Sequence, residues 1–463
     1  MIQHKLGLRR MAGLSLVELM ITIVLALLVT LGLLTLMNNV GITNRVQDGM
    51  ARMQENGRYA LQRISADLHA GASQYCSNFA AGSGRLGTSG GTAGEYYLER
   101  GRPLIAHYNV GAARPAGLAF GPSVTAAPPV TSSPNATYLI SPRWSLFGSD
   151  CDASTCRPAV NLANRGTDAT VFAGGRATMG LNAGNRVRGS DVMTIRYVRG
   201  AGVRVATEAA NVGPDGVPVS IAVDTNALGV TDTTIGQVLI TDCATGEILK
   251  MRANGGTLTA TGNFNDDVMQ RLAYDTDVRA FNLTRDLMQV SYFLQLKDDP
   301  DPQRSPANRK IAVLMRSENG TASELVEGVE RLDFLYAVDD QFGRTKYLNA
   351  EQVDAMAADC PDSPATPPEY LPANNYFGTP EAGCGWRSVK SIEISMLLNT
   401  VNDVSPNGDD AFRYSYTNSG AANTAAGTFE VPSALGTMRS GLPPYRMLRR
   451  EFSTQVNIRG YNF

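Results

Sequence analysis

The stretch Gly13-Leu14-Ser15-Leu16-Val17-Glu18 stands between a short basic leader and a long uncharged run, and its reading decides the fold. Lys5, Arg9 and Arg10 precede it, and no acidic residue occurs before Glu18. From Leu19 to Asn44 there follow 26 residues without a formal charge, more than the roughly 20 a helix needs to cross a bilayer. A carboxylate at the head of such a span costs on the order of 2.5–3.5 kcal/mol at bilayer depth, so Glu18 calls for a partner. Beyond Asn44 the apolar pattern becomes periodic. Val46, Met50, Met53, Gly57, Leu61, Ile64 and Leu68 recur at steps of three and four, one stripe of an amphipathic helix. Arg45, Asp48, Arg52, Glu55, Arg58, Arg63 and Asp67 are spaced around the other faces. No Pro interrupts Leu14 to Leu68. The pattern predicts one helix from about Ser15 to Leu68, roughly 80 Å long at about 1.5 Å per residue, with Gly71 as its stop.

An ordinary secretory signal carries its small-residue cleavage site after the apolar stretch. Here Gly13 comes before it, so a cut at Gly13–Leu14 leaves the apolar helix on the mature chain. On Gly13, Leu14, Ser15, Leu16, Val17 and Glu18, the leader resembles the class III signal peptide of the prepilin and pseudopilin superfamily; Leu14 stands where that family usually has Phe. The resemblance implies cleavage after Gly13 by a prepilin peptidase and N-methylation of Leu14. It also implies that Glu18 pairs with the new amino terminus of a neighbouring subunit. Because an unpaired buried charge costs several kcal/mol, such pairing would fix the axial register of an added subunit.

The chain divides into a leader (1–13), a transmembrane half-helix (14–44), an amphipathic half-helix (45–70), an irregular Gly/Ser/Ala-rich insertion (71–188) and a β-rich head (189–463). Inserted loops are expected in the head near 340–386 and 402–442. Alternation and turn signals predict strands at Ser190–Arg199, Gln237–Asp242, Glu247–Arg252, Leu287–Lys297, Lys310–Arg316, Ser391–Asn399 and Arg449–Arg459. Asn319-Gly320 marks a turn, and Glu324 onward reads as a short helical turn running into a strand at Leu332–Val338. One long helix followed by antiparallel strands is an α+β class, a pilin-like helix packed on a sheet head with large loop insertions. A net charge of −2 over 463 residues speaks against a general nucleic-acid binder.

The segments GSDVMTIRYVRG (Gly189–Gly200), LVEGVERLDFLYAVD (Leu325–Asp339) and RREFSTQVNIRG (Arg449–Gly460), with the helix ARMQENGRYALQRISADL (Ala51–Leu68), resemble the PilW family of type IV minor pilins. That resemblance implies a subunit of a priming or tip complex that initiates pilus assembly and supports adhesion or twitching motility. Its implied partners are other minor pilins, the major pilin, the prepilin peptidase, the inner-membrane assembly platform and a PilY-family tip adhesin. The implied location is the inner membrane, single-pass with a periplasmic head, and then the pilus tip. Two other readings stand beside it: a tip subunit like the type II secretion pseudopilin J, and a tip module binding a surface, glycan or DNA.

Six cysteines, at 76, 151, 156, 243, 360 and 384, all follow the span. An even count on the exported side predicts disulfides. Locality favours Cys151–Cys156 and Cys360–Cys384, leaving Cys76–Cys243, although fifteen pairings exist for six cysteines. Zinc is disfavoured, because no CxxC occurs and only His69 and His107 remain after leader removal. Gly87-Thr88-Ser89-Gly90-Gly91 matches GxSxG formally but lacks a preceding apolar strand. Asp298, Asp299 and Asp301, Asp339-Asp340, and Asn407-Gly408-Asp409-Asp410 lack calcium-loop spacing and read as solvated turns. Tyr370, Tyr376, Phe377 and Trp386 read as a loop packed by its own side chains. No enzyme, cofactor or metal is expected.

Overall fold

The computed structural model describes residues 15–71, 146–152, 154–159, 178–212, 218–231, 236–241, 246–260, 277–300, 309–339, 344–356, 383–404 and 445–458. It also describes the short segments 73–74, 77–78, 85–86, 96–97, 104–109, 135–139, 412–414 and 429–430. Its first element, α1 (Leu16–Ala70), is a continuous helix of 55 residues, about 80 Å at 1.5 Å per residue. It stops at Gly71 as expected, though for a different reason. Gly71 has extended backbone (φ −66°) and its N–H donates to the Asp67 carbonyl at 2.8 Å. A Cβ there would lie 2.4 Å from Ile195 Cγ2, so close approach to the sheet excludes a side chain.

In chain order the main strands are β1 (Leu146–Cys151), β2 (Val192–Val198), β3 (Val203–Val212), β4 (Pro218–Val223), β5 (Gly236–Thr241), β6 (Gly246–Asn254), β7 (Thr257–Ala260) and β8 (Arg279–Asn282). They continue as β9 (Leu287–Asp298), β10 (Lys310–Glu318), β11 (Thr321–Glu327), β12 (Val329–Asp339), β13 (Thr345–Leu348), β14 (Val389–Asn399) and β15 (Arg449–Asn457). The head holds an antiparallel sheet ordered β11-β10-β9-β2-β1, extended by the two-residue strand Cys156–Arg157, and a second antiparallel sheet ordered β13-β12-β14-β15. A mostly antiparallel head behind one long helix is the α+β architecture the pattern implied.

Both sheets and the second half of α1 share one core. Met53, Ala60, Ile64 and Leu68 of the helix meet Tyr292 and Leu294 of β9, Leu332 and Phe334 of β12, and Ile394 and Met396 of β14. The strand β9 is buried along Leu287–Leu296: Val290, Tyr292, Leu294 and Leu296 enter this core, while Phe293 joins Val192, Ile311 and Val313 on the opposite side. The chain crosses between sheets at Gly328, whose φ of +81° suits glycine and whose Cβ would meet Val401 Cγ2 at 2.8 Å and the Asn399 carbonyl at 2.9 Å.

Three expectations are corrected and a fourth, borne out, is extended. The span 71–188 is not wholly irregular, because Leu146–Cys151 pairs with β2 and its Leu146 and Phe147 are core residues. The helical turn at Glu324 is instead β11: Asn319 (φ +50°) and Gly320 (φ +87°) fold it back on β10, the paired positive φ values of a tight hairpin. The loop near 340–386 contains β13 and a helix, α2 (Ala350–Ala355), with an Asn349/Gln352 capping box. Finally, Gln237–Arg252 is more than a hairpin. β5, β8, β3, β4, β7 and β6 pair in that order and β6 pairs back to β5, closing a six-stranded antiparallel barrel.

That barrel has its own interior of Val205, Ile221, Val223, Val238, Ile240, Met251, Ala253, Leu258 and Ala280. A hairpin of Leu104–Asn109 and Asn135–Leu139 adds to β6 through a parallel pairing. The six barrel strands are inserted between β2 and β9, which already pair at Val198 and Leu287, whereas the added hairpin comes from before β2.

Candidate functional site: the helix and its seat

The first half of α1 is exposed along its length. Leu16, Val17, Leu19, Met20, Ile21 and the apolar residues through Val40 are about half or more exposed. This is the one helix among the described residues long and apolar enough to cross a membrane. Its threonines are satisfied locally: the hydroxyls of Thr22, Thr30, Thr35 and Thr43 each donate to a carbonyl three or four residues back, at 2.6–2.9 Å. In hydrocarbon every such group must find its partner inside the segment, and here each does.

Glu18 lies exposed in the first turn. The sequence Ser15-Leu16-Val17-Glu18 has the capping-box pattern, yet Ser15 makes no side-chain cap bond. Negative charge is favoured by the helix dipole at this end. Gly13 and Leu14 lie outside the described residues.

The second half is seated by a stripe that mixes small and large apolar residues. Gly49, Met53, Gly57, Ala60, Ile64 and Leu68 are buried, at steps of four, four, three, four and four. A Cβ on Gly49 would sit 3.3 Å from Thr400 Cγ2, and one on Gly57 would sit 2.7 Å from the Phe452 ring of β15. The sequence reading placed Met50 and Leu61 on this stripe; they pack at its margin.

Asp67 was read as one of the outward residues, and here the structure overturns the reading. It is 4 % exposed and in the last turn of α1, the end where the helix dipole disfavours an anion. β10, β9 and β2 supply the compensation. Arg316 Nε and Nη2 donate to its two carboxylate oxygens at 2.7 and 3.2 Å, and Tyr292 Oη donates to Oδ2 at 2.5 Å. Tyr197 Oη approaches Oδ1 at 3.4 Å, and Glu318 takes the remaining Arg316 Nη1 at 2.6 Å. Burial pulls the Arg316 guanidinium down, but its bonds to Asp67 and Glu318 outweigh this and raise it. Burial, then the Asp67 charge, pushes both tyrosine hydroxyls up. The result is a buried bolt from helix to sheet. One signal existed in the sequence: Asp67 falls three residues after Ile64, in phase with the stripe.

Other candidates resolve simply. Cys151 and Cys156 are joined by a disulfide. Cys76, Cys243 and Cys360 lie outside the described residues, and Cys384 opens a short 3-10 turn (Cys384–Ser388). Asp298 pairs with Lys310, Asp299 lies 3.6 Å from Arg309, and Asp339 pairs with Lys390 and accepts from Thr345 at 2.8 Å. Residues 87–91, Asp301, Asp340, 407–410, Tyr370, Tyr376 and Phe377 are outside the described residues. Trp386 reaches beyond its own loop. It is in the main core against Tyr336 (centroids 4.9 Å) and Phe147 (5.7 Å), its indole donating to Asp354 at 3.0 Å. Among the described residues, no group of three His, Cys, Asp or Glu side chains could hold a metal.

The part of the chain that forms β10 to β15, including Arg316 and Phe452 of the seat, decides its relationship. Residues 303–460 match the family PilW, Type IV Pilus-assembly protein W. That segment is PilW-like. The PilW match covers about a third of the chain and supports a role in type IV pilus assembly. No curated protein and no solved structure matches.

Proposed function

We propose that the chain is a membrane-anchored minor pilin, cleaved after Gly13 and N-methylated on Leu14, that joins other minor pilins in a complex priming type IV pilus assembly and occupying the tip. One observation carries this reading. A single continuous helix leaves its first half exposed, apolar and headed by Glu18, while its second half is bolted to a PilW-like head. A shaft of that kind is stable in a bilayer or among like shafts, and in both settings Glu18 needs a cation. The amine of a neighbour's Leu14 supplies one.

The test is direct. The protein recovered from cells should begin at methylated Leu14, and at Met1 when the prepilin peptidase is deleted. A Glu18→Ala subunit should still be cleaved yet fail to restore piliation to cells lacking the native protein. Normal piliation with Glu18→Ala, or a start after the apolar run, would defeat the reading. Loss of a type II secretion phenotype with piliation intact would favour the pseudopilin alternative.

A further inference from the structure

Away from the helix, one hairpin brings a buried cation against a disulfide. β1 ends at Cys151, turns through Asp152 and returns at Cys156, so the two cysteines are direct cross-strand partners. Their Cα atoms are 4.0 Å apart, closer than the roughly 4.4–6.8 Å that disulfides usually span. Arg186 lies over the bond, with Nη2 3.4 Å from Cys156 Sγ and Nη1 3.8 Å from Cys151 Sγ. Backbone bonds from Arg186 N to the Thr178 carbonyl and from Gly180 N to the Arg186 carbonyl hold it there. The residue is 4 % exposed, and burial pulls its guanidinium down to about 10.

A cation beside a cysteine favours the thiolate and so the reduced pair. Each of the neighbouring acids is engaged by other groups. The exposed Asp152 carboxylate is engaged by the amides and hydroxyls of Ser154 and Thr155. Asp191, which accepts from Cys151 N at 3.0 Å, is pushed toward its neutral form by burial and by Asp333 and Asp150. Asp150 accepts from Asn349, and Glu351 pairs with Arg157 at the surface.

We propose that Cys151–Cys156 is a thiol–disulfide exchange site whose reduced form is stabilised by Arg186, and that its co-reactant is a dithiol. Cys151 is buried and Cys156 half-buried, so the incoming thiolate attacks Cys156 Sγ. The Sγ–Sγ bond breaks and its electron pair leaves on Cys151 Sγ, beside Arg186 Nη1. The second thiolate of the dithiol then attacks the first dithiol sulfur in the mixed disulfide. Cys156 is released as a thiolate against Nη2, and the dithiol departs as its disulfide. Two electrons have entered the hairpin.

The test titrates the full-length protein in detergent with dithiothreitol redox buffers. Alkylation and peptide mass mapping then read the Cys151/Cys156 peptides separately from the other cysteines. Arg186→Met should shift the equilibrium about tenfold or more toward the disulfide, equivalent to one unit of thiol pKa, and Arg186→Lys should restore most of it. If Arg186→Met matches the unsubstituted protein, the proposal fails. Should Arg186→Met not fold, the folded unsubstituted chain is compared with the same chain in urea. Easier reduction when folded supports the site, and equal or harder reduction overturns it.

Discussion

Replacing Asp67 with Ala tests whether the buried bolt, rather than apolar packing alone, seats the helix on the head. The side chains of Asp67 and Arg316 are 5 % and 9 % exposed, so solvent screens the pair little. Removing one partner of a buried pair typically costs about 3–5 kcal/mol. Glu318, nearly half exposed, remains on Arg316 Nη1, which places the expected cost near the low end, about 3 kcal/mol. The readout is hydrogen exchange of the full chain in detergent. Amides of the helix from about residue 50 to 70 should exchange roughly a hundredfold faster, as about 3 kcal/mol implies. The barrel has a separate core, so its amides should not change and serve as an internal control. Asp67→Leu combined with Arg316→Met should recover most of the protection, because apolar replacement of both partners is often neutral. Unchanged helix exchange in Asp67→Ala, or a double variant that merely adds the two single losses, would refute the reasoning.

Gly57→Ala should destabilise the head by about 1–3 kcal/mol through overlap with Phe452, despite the gain of up to about 1 kcal/mol in helix propensity; a fall in the urea midpoint, reversed by adding Phe452→Leu, checks it. Asp191 has its carboxyl raised by burial and by Asp333 and Asp150. The folded state therefore holds its proton to higher pH than the unfolded chain, and stability falls as pH rises from the unfolded value of about 4 through the raised folded one. Asp191→Asn should flatten that slope in urea titrations across about pH 4 to 8; an unchanged slope would count against the assignment. Replacing residues 200–285 with a short turn should leave head stability within about 1 kcal/mol, since Val198 and Leu287 already pair across the base. Loss of the head's own hydrogen-exchange protection in that deletion would show the barrel to be part of one folding unit.

The sequence by itself determined the helix, the α+β class and most strands of the head, because these rest on local periodicity. Twenty-six uncharged residues followed by a stripe at steps of three and four admit one continuous element, and Asn319-Gly320 marks a turn after an alternating strand. Tertiary structure alone decided which polar residues go inside. Asp67 reads like any charged helical residue until Arg316 and Tyr292, more than 200 positions away, are folded against it. The barrel is likewise invisible locally: its short strands give weak signals, and closure depends on β6 meeting β5 after the other four strands are in place. β11 was misread because its Glu-Leu-Val-Glu run suits a helix in isolation, while the positive φ at Asn319, Gly320 and Gly328 commits it to the sheet. Periodic burial is written in neighbouring residues, whereas compensation of a buried charge and closure of a sheet are relations between distant ones.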